Sequence, residues 1–147
     1  AVLAGFSTAE SPLGHHPDRR RIPGVEISSG SLGQGLALGI GSAIALGLSC
    51  SAGRVSVLMG DGELDEGSSH EAIAVAGRLG SGRLTTVVID NQSSTLGWPG
   101  GIASRFAVEG WTTRVVDGRN HDAIEGALTA THVDVPLAVV AEVGRKP

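Results

Sequence analysis

The chain has 147 residues, of which 41% are hydrophobic and 18% charged, and its net charge is −4. That balance excludes a disordered segment, and with no Lys/Arg stripe and few aromatics it argues against a nucleic acid partner. No apolar run reaches the roughly 20 residues needed to cross a bilayer, so no membrane role is expected. The single cysteine, Cys50, permits no internal disulfide and fits a reduced, cytoplasmic setting.

The 23 glycines form no collagen period or low-complexity run, so they point to tight turns and close backbone approaches. Residues 1–32 read as loop, with turn material at Leu13–Asp18 and Ile22–Val25. Arg19, Arg20 and Arg21 are the only basic run and read as a solvated loop. Ser28–Ser31 can supply an N-cap for a helix from Leu32 to about Leu48. Along that helix Gly35, Gly39, Ala43 and Gly47 make a stripe of small residues, suited either to core packing or to a close partner.

The pattern then changes. Val55–Met59 is a short β-rich run, and Ser68–Leu79 has helical spacing and stops at Gly80-Ser-Gly82. Leu84–Ile89 is continuously apolar and β-branched. Neither this run nor Val55–Met59 alternates apolar with polar, so both are expected to be adjacent parallel strands buried on both faces. Residues 92–101 form a Gly-rich loop, and 102–109 a short helix. Strand 111–116, helix 121–130 and strand 137–142 follow. Strand alternating with helix predicts an α/β fold, a parallel sheet with helices on both faces. Residues 1–147 are expected to form a single domain, incomplete at both ends. The absence of an initiator Met and the ending Arg145-Lys146-Pro147 suit a piece or subunit of something larger.

The chemistry concentrates in Gly60-Asp-Gly-Glu-Leu-Asp-Glu-Gly67 and Asp90-Asn91. Asp61 falls just past one predicted strand and Asn91 just past the next. Parallel strands put both at the carboxyl edge of the sheet, where open α/β folds bind ligands. A carboxylate and an amide oxygen suit Mg²⁺ or Ca²⁺, with phosphate oxygens and a backbone carbonyl completing the shell. Gly60 and Gly62 leave the backbone bare for an anion. Asp-Gly alone reads equally as a strand-end turn, with Asn91 a turn residue. The paired placement favours a metal site.

GDG followed about thirty residues later by N resembles the thiamine diphosphate enzymes. The longer string GDGELDEGSSHEA is similar to transketolase, as are HPDRRRIPGVEISSGSLGQG at 16–35 and RFAVEGW at 105–111. This resemblance, over nearly the whole chain, implies the diphosphate-binding fold of that family. It implies Asp61, Asn91 and the Ser93 carbonyl as metal ligands. It implies Gly30, Leu32, Gly60, Asp61, Gly62, Glu63 and Asn91 as cofactor-binding residues, with the Gly62 N–H on the diphosphate and Gly30 and Leu32 near the aminopyrimidine. His16 and Glu66 would be catalytic, His16 near the reactive carbon and Glu66 at the interface with the acid that activates the pyrimidine ring.

The implied cofactors are thiamine diphosphate and Mg²⁺ or Ca²⁺. The implied activity is two-carbon ketol transfer between phosphosugars. The implied partner is a pyrimidine-binding transketolase C-terminal chain or domain, in a homo- or hetero-oligomer. The loop from Asn91 to Arg105 is shorter than the family's, and Gly97-Trp-Pro-Gly-Gly101 departs from it. A deoxyxylulose phosphate synthase or 2-oxo acid dehydrogenase component remains an alternative, as does a non-catalytic remnant that binds a partner. A dinucleotide module is disfavoured because neither glycine run follows a strand in a GxGxxG pattern.

Overall fold

The computed structural model describes residues 3–130 and 132–144. Its last three residues, Arg145-Lys146-Pro147, lie outside the described part. The chain forms two compact units, Ala1–Leu32 and Gly33–Pro147.

The first unit is turn-rich, with one 3₁₀ turn at Leu3–Gly5. Its second half folds back on itself through Asp18. The Arg20 N–H (2.9 Å) and the Ser28 hydroxyl (3.3 Å) both donate to Asp18 Oδ1, and the Arg19 N–H donates to Ser28 Oγ at 3.0 Å. The Ser28 hydroxyl is thus engaged in this turn rather than in capping a helix.

The second unit is a four-stranded parallel sheet in the order β1-β2-β4-β3. The strands are β1 (Val55–Gly60), β2 (Leu84–Asp90), β3 (Thr112–Asp117) and β4 (Leu137–Glu142). The helices are α1 (Gly35–Leu48), α2 (Gly67–Leu79), α3 (Gly101–Ala107) and α4 (His121–Thr129). Strand and helix alternate along the chain, as the hydrophobic pattern predicts.

Two apolar layers sandwich the sheet. On one side Leu36, Ile40 and Ala43 of α1, Ile73 and Ala76 of α2, and Phe106 of α3 pack with Val57, Met59, Leu84 and Val88. On the other, Ala127 of α4 packs with Leu137, Val139, Val87 and Val116. Three helices therefore cover one face, and a single helix covers part of the other.

Two expectations are corrected. β1 is not buried on both faces. Val57 and Met59 point inward, but Leu58 is 73% exposed, because β1 is an edge strand and α4 lies across β3 and β4. β2, between two strands, carries the double burial. The first long helix also starts later than Leu32. Gly33 has φ +82°, outside helical geometry, and α1 begins at Gly35 without a side-chain cap.

The small-residue stripe on α1 is only partly a packing surface. A Cβ at Gly39 would run into the Val57 side chain, and Ala43 is buried, whereas nothing lies within 4 Å of a Cβ at Gly47. Gly80, in left-handed geometry at φ 60°, ends α2 as its sequence predicts. At the amino edge of the sheet His132 is buried. Thr85 Oγ1 and the Val135 carbonyl each lie 3.1 Å from one of its ring nitrogens, and the Arg54 guanidinium reaches the same ring.

Candidate functional site

The register of the sheet fixes the site. Gly60 of β1 is level with Ile89 of β2, so Asp61 leaves one strand and Asn91 the next at the same carboxyl edge. After Gly60 the chain turns at once into a 3₁₀ helix, Asp61–Asp65, which leads into α2. β2 ends at Asp90, and Gln92 adopts a left-handed φ of 59° that swings the chain over that 3₁₀ helix.

Asp61 is 1% exposed. Its carboxylate accepts four hydrogen bonds. Oδ1 takes the Gly62 N–H (2.9 Å) and the Ser93 hydroxyl (2.5 Å), and Oδ2 takes the N–H groups of Ser93 (2.7 Å) and Ser94 (3.1 Å). Burial by itself pushes this carboxyl up. The Ser93 hydroxyl and the three amides outweigh it and leave the group below its ordinary value, as a carboxylate.

Asp65 holds the next stretch of the same loop. It accepts from the Ser94 hydroxyl (2.6 Å), the Thr95 N–H and hydroxyl (2.7 Å each) and the Leu96 N–H (3.2 Å). These bonds, led by the Ser94 hydroxyl, hold its pKa well below the usual carboxylate range. Sequence reading passed over Asp65. Its position in the acidic string was visible, but the loop that folds onto it was not.

Asn91 is half-buried, and its side-chain oxygen has no hydrogen-bond partner. Among the described residues two other buried side-chain atoms are likewise unpaired, Trp98 Nε1 and Arg114 Nε, but both are donors. An unpaired buried acceptor at the same sheet edge as a buried carboxylate matches the donor chemistry of a hard cation. No group of three or more His, Cys, Asp or Glu that could hold a metal occurs among the described residues. Any cation here would therefore depend on oxygen donors that such a group does not include, namely amide and backbone carbonyls and ligand phosphates. The residues fit that requirement. A Cβ at Gly62 would lie 3.3 Å from Ser93 Oγ and 4.0 Å from the Ser93 carbonyl oxygen, so the bare Gly62 lets this loop come close.

The other expected residues divide between the two units. Gly60, Asp61, Gly62, Glu63, Glu66, Asn91 and Ser93 belong to the second. There, Glu63 Oε1 accepts the Gly33 N–H at 3.1 Å, and the Ser68 hydroxyl donates to the Gly33 carbonyl at 2.8 Å. Glu66 is exposed at the start of α2, and its Cβ lies 2.6 Å from where a Cβ on Gly33 would be. Gly33 is therefore a structural pivot that sequence reading missed. His16, Gly30 and Leu32 belong to the first unit, where the His16 ring lies 3.0 Å from the position of a Cβ on Gly30.

The loop after Asn91 ends on an aromatic anchor. Trp98 meets His70 of α2 edge-on, with ring centroids 4.7 Å apart, and the Arg105 guanidinium sits over Trp98 at 5.4 Å. His70 thus helps to pin the loop.

The family described as "Transketolase, thiamine diphosphate binding domain" matches residues 2–140. "Transketolase 2" of Xanthobacter flavus is 39% identical over 99% of this chain and 24% of its own length. A protein named "Ferredoxin fas2" from Rhodococcoides fascians is 51% identical over 99% of this chain and 48% of its own length. Crystallised transketolase from Campylobacter jejuni superposes with a TM-score of 0.83 at 28% identity, covering 96% of this chain and 24% of that one. Transketolase from Leishmania mexicana gives 0.80 at 28% identity, over 95% and 24%. The chain thus spans about a quarter of the transketolases it matches and about half of the fas2 protein. It belongs to the transketolase family, as the thiamine diphosphate-binding domain.

Proposed function

We propose that this domain holds the diphosphate end of thiamine diphosphate through a divalent cation of the Mg²⁺ type, as part of an enzyme that transfers a two-carbon ketol unit between phosphosugars. The observation that carries the cation site is Asn91 Oδ1, the one buried side-chain acceptor without a partner among the described residues, at the same sheet edge as Asp61. Asp61 and Asn91 would give side-chain oxygens to the cation and Ser93 its carbonyl. Gly60 and Gly62 would keep side chains out of the diphosphate's way. The Gly62 N–H already donates to Asp61 Oδ1, so it would serve the diphosphate only by sharing or leaving that bond. Glu63 would act indirectly, by fixing Gly33.

Bound there, thiamine diphosphate supplies the nucleophilic carbon and the electron sink of the reaction. The residues of this chain bind and orient it. On the family resemblance, Gly30 and Leu32 would approach the aminopyrimidine, His16 the substrate, and Glu66 the acid of a pyrimidine-binding domain or chain. Relatives two to four times as long as this chain support the need for that further part.

The name of the fas2 relative raises a second reading, an electron-carrying role. This chain has one cysteine, and an iron–sulfur cluster takes about four cysteine ligands, so the matched segment would not be the part that holds one. Titrating the purified protein with Mn²⁺ in the presence of thiamine diphosphate, with NAD as a control ligand, tests the proposal. Saturable binding that disappears in Asp61→Ala is expected. Equal affinity in Asp61→Ala rejects the site. Ketol transfer is then assayed with a pyrimidine-binding transketolase chain added, and activity is expected only in the combined sample.

A further inference from the structure

We propose that Asp65 is a positioning residue for the cation site: its carboxylate holds residues 94–96, and through them the backbone at Ser93, in binding geometry. The inference rests on the site reading above and extends it to a residue that would touch neither cation nor cofactor. One short 3₁₀ helix, Asp61–Asp65, carries two carboxylates that grip successive parts of one loop. Asp61 takes the N–H groups of Ser93 and Ser94, and Asp65 takes those of Thr95 and Leu96. Ser94 straddles both, with its N–H on Asp61 and its hydroxyl on Asp65. Four consecutive amides are thereby fixed by carboxylates four residues apart.

The loop has little else to hold it here. Residues 91–100 contain no helix or strand, and the next anchor is Trp98. Asp65 makes no ion pair among the described residues. Its partners are two amides, whose directions the backbone fixes, and two hydroxyls, so it acts as an orienting clamp rather than a counter-charge. The Ser94 hydroxyl also lies 2.8 Å from the Leu96 carbonyl, and its one proton is shared between the two acceptors. The Thr95 pair and the Leu96 amide are therefore the firmer part of the clamp. Groups that orient a ligand from outside the metal shell commonly change metal affinity about 10- to 100-fold when removed.

The test measures Mn²⁺ affinity in the presence of thiamine diphosphate, by calorimetry, alongside thermal unfolding without metal. Asp65→Ala is expected to raise the Kd for Mn²⁺ about tenfold or more. Asp65→Asn, which keeps one acceptor oxygen, should fall between Asp65→Ala and wild type. Thr95→Val, which removes one hydroxyl donor at constant shape, should weaken binding several-fold and add little in the Asp65→Ala background, because both act through one clamp. If Asp65→Ala does not fold, Thr95→Val decides alone. A lower Tm with an unchanged Kd would overturn the positioning role and leave Asp65 a structural residue. Binding that survives Asp61→Ala would instead overturn the cation site itself.

Discussion

The Ser93 hydroxyl donates to Asp61 Oδ1 at 2.5 Å while the N–H of the same residue donates to Oδ2 at 2.7 Å. One residue thus bridges both oxygens of the buried carboxylate. With the Gly62 and Ser94 amides added, each oxygen accepts two hydrogen bonds, which uses its two lone-pair directions. A cation would have to take one of those directions. The hydroxyl is the one donor of the four on a freely rotating bond, so it is the one that would yield. Ser93→Ala should therefore bind Mn²⁺ more tightly, roughly tenfold, since a hydrogen bond to a charged group contributes about 1.5–3 kcal/mol. The hydroxyl would be a ligand rather than a competitor if calorimetry showed weaker binding in Ser93→Ala.

Asn91 allows a separation of stability from binding. Its side-chain oxygen is buried and unpaired, which costs free energy in the protein without ligand. Asn91→Ala removes that cost along with the oxygen. Thermal unfolding without metal should show a Tm equal to or above wild type. Mn²⁺ binding with thiamine diphosphate should weaken at least tenfold. A Tm that drops by several degrees would show that Asn91 serves the fold and not a ligand.

Asp61 and Asp65 both titrate below the ordinary carboxylate value of 3.8. A folded-state pKa below the unfolded one contributes stability that is present above the unfolded value. That stability is lost as pH falls through the folded value. Acid should therefore weaken the second unit from about pH 4 downward, as these carboxylates take up protons and release the 93–96 loop. Asp65→Asn, which cannot titrate, should have a lower Tm than wild type near pH 7. The two curves should converge toward about pH 2. A gap independent of pH across that range would mean that the charge on Asp65 adds nothing to stability.

How much of this was legible in sequence follows from local and non-local causes. All eight helices and strands of the second unit sit within a few residues of their expected bounds, because periodicity and turn residues are local signals. The pairing of Asp61 with Asn91 was legible too, since strand-end placement and a 30-residue crossover imply a shared edge. What was hidden depends on neighbours. Val55–Met59 reads as doubly buried because its composition resembles that of β2, yet its place at the sheet edge is set by strand order. Leu58→Thr should accordingly cost under about 0.5 kcal/mol, whereas Val88→Thr, fully buried with a similar shape, should cost more than about 1 kcal/mol. Denaturant unfolding that ranks these two the other way would contradict the exposure of the outer face. Asp65 and Gly33 were hidden for the same reason, as their partners lie about thirty residues away.

Two glycines in helices make a last, opposed pair of predictions. Gly77 lies inside α2, where Ala is intrinsically favoured by about 1 kcal/mol. A Cβ there, however, would drive into the carbonyl of Glu109, whose carbonyl carbon is only 2.9 Å from the Cβ position. That backbone has little room to retreat. Arg105 pairs with the Glu109 carboxylate at 3.2 Å, and the following turn leads to Trp111, whose indole N–H donates to the Ile73 carbonyl of α2 at 2.9 Å. Phe106 meets the same indole edge-on at 5.1 Å. Gly77→Ala should therefore destabilise by about 1–3 kcal/mol despite the better helix former. Gly126 of α4 has nothing within 4 Å of its Cβ position and an ordinary helical backbone. Gly126→Ala should stabilise by about 0.4–1 kcal/mol, because it removes freedom from the unfolded chain at no steric cost. Chemical denaturation of both variants measures the contrast. A Gly77→Ala variant as stable as Gly126→Ala would show that α2 and the turn after α3 are not in close backbone contact.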